Sequence, residues 1–137
     1  MSQKFRLDKA GYINRDKKIS FKFNGKKYFG YEGDTLASAL LANGVHLVGR
    51  SFKYHRPRGF IGAGVDEPNA HVQLYSGAKT EPNAVATTVE LVEGLVAKSQ
   101  NCWPSVSFDF GAINNLLNKF FPAGFYYKTF MWPKNFW

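Results

Sequence analysis

Residues 58–72 read RGFIGAGVDEPNAHV, and the reading of this stretch decides what kind of domain surrounds it. Gly59, Gly62 and Gly64 crowd its first half, and the pair Asp66-Glu67 followed by Pro68-Asn69 fills the second. Glycine serves where a backbone must turn tightly or approach another group closely, so a long ordered loop is expected here. Gly62-Ala63-Gly64 opens like a dinucleotide-binding fingerprint. However, Glu67 stands at the third glycine position, and no strand-to-helix turn surrounds the segment. The loop is therefore not read as a nucleotide site. Asp66 and Glu67 are read as residues that cap or anchor it.

Working outward, upstream residues Ile19, Phe21 and Phe23 alternate with Ser20, Lys22 and Asn24, the period of a strand with one buried face. Asn24-Gly25 is a strong hairpin signal because both residues accept positive φ, and the chain is expected to return along residues 26–31. A helix follows, with Asp34 expected as its N-cap and Leu36, Ala37, Leu40 and Leu41 as its apolar stripe. Asn43-Gly44 ends it, glycine suiting the left-handed position after the last turn. Residues 45–48 read as a short buried strand. Downstream of the loop, residues 70–75 and 86–91 read as strands, and Glu93-Gly94 as a turn into a strand at 95–97. Hairpin, helix, strand, long loop and returning strands make an α+β chain of the β-grasp type.

Bulk properties narrow the class. At 137 residues the chain is expected to form one compact domain with room for an appendage, and 45% hydrophobic with 17% aromatic content excludes a disordered protein. No apolar run approaches the ~20 residues needed to cross a bilayer, so no membrane partner is expected. The opening residues have no apolar stretch behind their positive charges and are not read as a secretory signal. With Cys102 as the single cysteine, no internal disulfide forms, and a cytoplasmic location is expected. The net charge of +8 is uneven, because 13 of the 18 Lys and Arg lie in the first 60 residues. Such a half suits a solvated surface, an anionic ligand, an acidic partner surface or nucleic acid.

The richest polar constellation is Arg50, Lys53, His55, Arg56 and Arg58, interleaved with Phe52 and Tyr54. Arginines grip carboxylate or phosphate bidentately, and their mixture with aromatics also suits single-stranded nucleic acid. No recognition motif supports the latter, so nucleic acid is not expected as a partner. The preferred reading is an ordered hub whose arginines bond loop carbonyls or a neighbouring subunit's acids. His46, His55 and His71 lack metal-ligand spacing, and Cys102, without an obvious base, is read as a small buried hydrophobe. No pattern of catalytic residues emerges.

Beyond about residue 98 the texture changes. Asp109 can cap a short helix with Ile113, Leu116, Leu117 and Phe120 on one side. Residues 120–137, FFPAGFYYKTFMWPKNFW, are so rich in rings that they need cover, either on this domain or at an interface. Tyr126, Tyr127, Phe130, Trp132 and Trp137 are the expected contacts. The expected organisation is an arm at 1–17, a β-grasp domain at 18–98, and a short helix with an aromatic docking extension at 99–137.

Several stretches together resemble the N-terminal domain of the α-subunit family of heterotetrameric sarcosine oxidases. They are GDTLASALLANGV (33–45), VGRSFKYHRPRG (48–59), EPNA (67–70), SQNCWPS (99–105) and AGFYYKTFMWP (123–133). Related amine-oxidising flavoenzymes carry a loop of the form RG-x-CGMG-x-C-x-x-C that binds a [2Fe–2S] cluster. Aligned on that loop, the cysteine positions fall at Ile61, Asp66 and Asn69, and the fourth near Thr87. Iron in such clusters is held by thiolates, so the resemblance implies a ferredoxin-like scaffold that has lost its cluster, with no metal ligand and no catalytic residue of its own. It implies an assembly role in a complex that demethylates sarcosine to glycine, releasing hydrogen peroxide and, with tetrahydrofolate, its methylene form. It further implies no cofactor in this chain, with NAD in the next α-subunit domain and FAD and FMN in or beside the β subunit. The remaining α-subunit polypeptide and the β, γ and δ subunits would be the partners. Two other readings stay open at this point: a working electron-transfer ferredoxin, and a basic nucleic-acid-binding module.

Overall fold

The alternation of Ile19, Phe21 and Phe23 does build a strand, β1 (Asn14–Phe23), with all three side chains buried. The computed structural model describes residues 3–9 and 11–120, so the expected tail contacts at 126, 127, 130, 132 and 137 lie outside the described residues. Asn24 and Gly25 adopt φ of 50° and 80°, the positive values of a two-residue hairpin turn, and return the chain as β2 (Lys26–Glu32). The β1–β2 pairing runs without interruption from Lys18↔Tyr31 to Phe23↔Lys26, with an irregularity between Asn14 and Lys18.

Helix α1 (Leu36–Ala42) follows, and its start differs from expectation. Thr35, not Asp34, is the N-cap: its hydroxyl accepts from Ser38 N at 3.1 Å, while Ser38 Oγ accepts from Thr35 N at 3.0 Å. Asp34 turns inward instead, because Arg6 reaches it from the N-terminal arm. The buried stripe is Leu36, Ala37, Ala39, Leu40 and Ala42, with Leu41 only half covered. Gly44 takes the left-handed position past the helix, at φ 78°.

Residues 45–48 are not a strand. Val48 is fully buried, but ladder pairing begins only at β3 (Gly49–Arg50), which meets β4 (Pro57–Arg58) as a two-residue hairpin. After the glycine-rich loop come β5 (His71–Ser76) and β6 (Lys79–Val85), then β7 (Val96–Ser99). The expected strand at 86–91 is instead a turn whose carbonyls serve the helix: Leu36 N donates to Val89 O at 2.8 Å and Ala37 N to Ala86 O at 3.0 Å. The first amides of a helix lack partners within it, so this turn satisfies them where a sheet would have left them bare.

The five-stranded sheet has the order β2-β1-β7-β5-β6, with β1 and β7 parallel and the other pairs antiparallel. Phe21, Phe23, Leu36, Leu40, Val48, Val72 and Leu91 fill the core on the helix side. This is the β-grasp arrangement. Beyond it, a 3-10 turn at Phe110–Ala112 leads into the single-turn helix α2 (Ile113–Leu116). Gly30 lies where β2 meets α1: a Cβ there would stand 2.4 Å from Leu91 Cδ2 and 3.0 Å from both Ala39 Cβ and Asp34 Oδ2. Gly30→Ala is therefore expected to cost about 1–3 kcal/mol through overpacking, read as a lowered midpoint in urea unfolding.

Candidate functional site

The loop between β4 and β5 is organised by one side chain. Glu67 is 3% exposed, and its carboxylate accepts four main-chain hydrogen bonds. Ile61 N and Gly62 N donate to Oε2 at 2.7 and 2.6 Å, and Asn69 N and Ala70 N donate to Oε1 at 2.8 and 3.2 Å. Burial alone would raise the Glu67 pKa, but the amides of Asn69, Ile61, Gly62 and Ala70 together outweigh it and hold the carboxyl below its ordinary value. A side chain at Gly62 would crowd the loop, its Cβ 3.2 Å from Glu67 Cα and 3.3 Å from Asp66 Oδ1. Asp66, by contrast, is exposed, so the anchoring expected of the acid pair is carried by Glu67.

The four positions singled out in the sequence are dispersed in role. Ile61 is 73% exposed, and Asp66, also exposed, sets its Oδ1 over Gly62 and Gly64, 3.3 and 3.5 Å from where a Cβ on each would lie. Asn69 Oδ1 accepts from Arg58, and the buried Thr87 donates its hydroxyl to Gly64 O at 2.7 Å. Two of the four positions thus tie the loop to itself.

The basic segment closes on a buried acid that sequence reading took only as a helix cap. Asp109 does cap the 3-10 turn, Gly111 N donating to Oδ1 at 3.2 Å, and the same oxygen accepts from Trp103 N at 2.9 Å. Its other oxygen lies 2.7 Å from His55 Nδ1 and 3.6 Å from Arg50 Nε. Burial would raise the Asp109 pKa, yet the amides of Trp103 and Gly111 and the His55 ring hold it below the usual aspartate value. Arg50 donates to two carbonyls, Val106 O at 2.9 Å and His55 O at 2.8 Å. Arg56 donates to Asn115 Oδ1 at 2.9 Å and stacks on Tyr54, and Lys53 O accepts from Asn114 at 3.3 Å. The constellation is thus an internal seam that binds the 103–115 segment to the β3–β4 hairpin.

What the seam presents outward is apolar. Trp103, Phe108 and Phe110 form a ring cluster, with centroids 5.2 Å (Trp103–Phe110) and 5.1 Å (Phe108–Phe110) apart. All three are more than half exposed, as are Ile113, Leu116 and Phe120. Cys102 is half-buried; burial and then Asp109 push its thiol pKa up against the opposing pull of Arg50, so it is a poor nucleophile. His46 packs edge-on against Phe5. Among the described residues, no helix is long and apolar enough to cross a membrane.

A five-stranded mixed sheet with α1 packed on one face and a long loop gathered on a buried carboxylate defines the class, and the chain belongs to the 2Fe-2S iron-sulfur cluster binding domain family, matched over residues 16–102. It is 61% identical over 133 residues to sarcosine oxidase subunit alpha of Rhizobium meliloti (strain 1021), across 97% of this chain and 14% of that protein. Sarcosine oxidase subunit alpha of Corynebacterium sp. (strain U-96) is 41% identical over 88 residues, 62% of this chain and 9% of that one. Among solved structures, L-proline dehydrogenase from P. horikoshii matches 67% of this chain and 17% of its own at 26% identity and a TM-score of 0.49. The chain thus spans about one seventh of the length of the Rhizobium relative.

The family's cluster requires sulfur or imidazole donors around each iron. Ile61, Asp66, Asn69 and Thr87 supply neither. Among the described residues, no group of three or more His, Cys, Asp or Glu could hold a metal ion. The side chains of these four residues do not fit a [2Fe–2S] cluster.

Proposed function

We propose that this chain is an assembly domain of a sarcosine oxidase α subunit, built on a ferredoxin-like scaffold that no longer takes a cluster and carries no catalytic residue. The complex it serves would oxidatively demethylate sarcosine to glycine, with hydrogen peroxide and methylene-tetrahydrofolate as co-products. FAD, FMN, NAD and tetrahydrofolate would be bound outside this chain, and the reaction would be cytoplasmic. The observation that carries this reading is identity of 61% along 97% of the chain to a subunit about seven times longer. Ile, Asp, Asn and Thr at the expected ligand positions suit a scaffold and not a redox relay.

The docking face would be the ring cluster of Trp103, Phe108 and Phe110 with Ile113 and Leu116, and Tyr126, Tyr127, Phe130, Trp132 and Trp137, which lie outside the described residues, would be further contacts with the same partners. Its occupant would be the remaining α-subunit polypeptide, with the β, γ and δ subunits beyond it. Arg50 and His55, bonded to Val106 and Asp109, would hold the face in place from behind, Arg56 and Lys53 would tie it through Asn115 and Asn114, and Arg58, bonded to Asn69, would serve the 58–72 loop.

Two measurements test this. Iron and acid-labile sulfide in anaerobically purified protein should be absent; a visible charge-transfer spectrum with stoichiometric iron would refute the scaffold reading. Serine at both Phe108 and Phe110 should weaken association of the domain with the rest of the complex roughly a hundredfold or more, since each buried ring contributes about 1.5–3 kcal/mol. The variant domain should keep its own unfolding midpoint, both rings being exposed. Undiminished capture of the separately expressed variant domain by an α subunit lacking these residues would rule this face out.

A further inference from the structure

We infer that Glu67 is the resident anion of the 58–72 loop, a built-in carboxylate standing where the family places an anionic cluster, so that the loop keeps a ligand-bound shape without a ligand. This rests on the reading that the loop takes no cluster. Main-chain amides that converge in a loop form a concavity whose partial positive charge needs an anion, whether phosphate, iron–sulfur cluster or carboxylate. Here two amides come from upstream of the turn and two from downstream, and all four end on one carboxylate. Two of these donors, Ile61 N and Asn69 N, belong to residues at former cysteine positions. Glu67 itself lies between the positions of the second and third cysteines, so its chain reaches back into the loop it belongs to.

The remaining contacts close the cradle. Thr87, at the fourth ligand position, donates to Gly64 O, and Arg58 donates to Asn69 Oδ1. Gly62 leaves only 3.2 Å between a hypothetical Cβ and Glu67 Cα, which keeps the upstream amides within reach of the carboxylate. With Glu67 3% exposed, neither a cluster nor a small anion from solvent can enter while this side chain is in place.

The inference makes the nest a carboxylate site that becomes available when its own occupant is removed. In the full chain, Glu67→Gln should speed amide hydrogen exchange at Ile61, Gly62, Asn69 and Ala70 by roughly tenfold or more, because an amide group cannot accept from both pairs of donors. Exchange at Leu36 and Ala37, whose amides bond the 86–91 turn, should be unchanged. Glu67→Ala should be rescued by formate or acetate, each raising its thermal midpoint and restoring protection of the same four amides, whereas chloride at equal ionic strength should not. Wild-type protein should show no such response. Unaltered exchange in the Gln variant, or no carboxylate-specific rescue of the Ala variant, would overturn the inference. Should either variant fail to fold, carbon NMR of the wild-type Glu67 carboxyl decides. Titration below the ordinary glutamate range supports the assignment, and titration at or above it overturns the assignment. Iron in the wild-type protein is a separate outcome that strikes at the cluster-free reading itself.

Discussion

Replacing Asp34 with alanine is expected to destabilise the domain by about 3–5 kcal/mol, the usual cost of breaking a buried ion pair from one side. For a chain of this size that is a fall of roughly 10 °C or more in the thermal midpoint. Asp34 is 2% exposed and accepts from both terminal nitrogens of Arg6, at 3.1 and 2.6 Å, a bidentate pair. It also accepts from Tyr31 N at 2.8 Å and Ser38 Oγ at 2.7 Å, so one carboxylate joins the N-terminal arm, β2 and α1. Alanine leaves the Tyr31 amide without this acceptor and the Arg6 guanidinium, packed over the Tyr31 ring at 5.2 Å, without its counter-ion. The arm loses a second restraint only weakly, since Phe5 N still donates to Ala42 O at 3.3 Å. Asp34→Asn should fall between wild type and alanine, because its oxygen can still accept from Tyr31 N. Urea unfolding of the three proteins checks the order. Equal stability of Asp34→Ala and wild type would show that the pair contributes nothing.

The strands with a period-2 pattern and the turns with Asn-Gly or Glu-Gly were legible because local chemistry alone demands them. Ile19, Phe21 and Phe23 point one way whatever lies opposite, and Asn24-Gly25 accepts positive φ without help from the fold. Errors arose where tertiary partners decide. Asp34 and Thr35 are both good cap residues, and only the arrival of Arg6 from 28 residues upstream draws the first inward and leaves the cap to the second. Residues 86–91 look apolar enough for a strand, but their carbonyls are claimed by the start of α1. Glu67 was read as an anchor of its loop; that both its oxygens collect two amides each depends on a loop path no spacing rule supplies. The basic segment was read as a hub of arginines, but its acid, Asp109, lies more than 50 residues away. The available signal was arithmetic: four cations and one histidine within residues 50–58 needed a carboxylate, and Asp109 is the sole acid beyond Glu93.

That distant acid carries the other large effect. Asp109→Ala should cost about 3–5 kcal/mol in the attachment of residues 103–120, because it leaves Arg50 and His55 facing a buried gap and removes the acceptor of Trp103 N and Gly111 N. The fit around it is tight: a Cβ on Gly111 would lie 2.2 Å from His55 Cε1, so the 3-10 turn sits directly on the ring. The loss should appear first as protease cleavage within 103–120, while exchange protection in β1, β5 and β7, whose ladders do not include Asp109, persists. The pH dependence has a definite sign. Because the folded-state pKa of Asp109 is depressed, its contribution is complete above the ordinary aspartate range and is lost as pH falls through the lower folded value. Wild-type attachment should therefore weaken in acid, below about pH 4, and Asp109→Asn should lose that acid-linked component while retaining part of the amide bonding. If the docking face is made of Trp103, Phe108 and Phe110, the same substitution should also weaken capture of the separately expressed domain by the rest of the α subunit, by displacing the rings and not by altering them. A variant whose 103–120 segment resists protease as wild type does, at neutral pH, would show that the ring face is held by its own packing and that the buried carboxylate is dispensable.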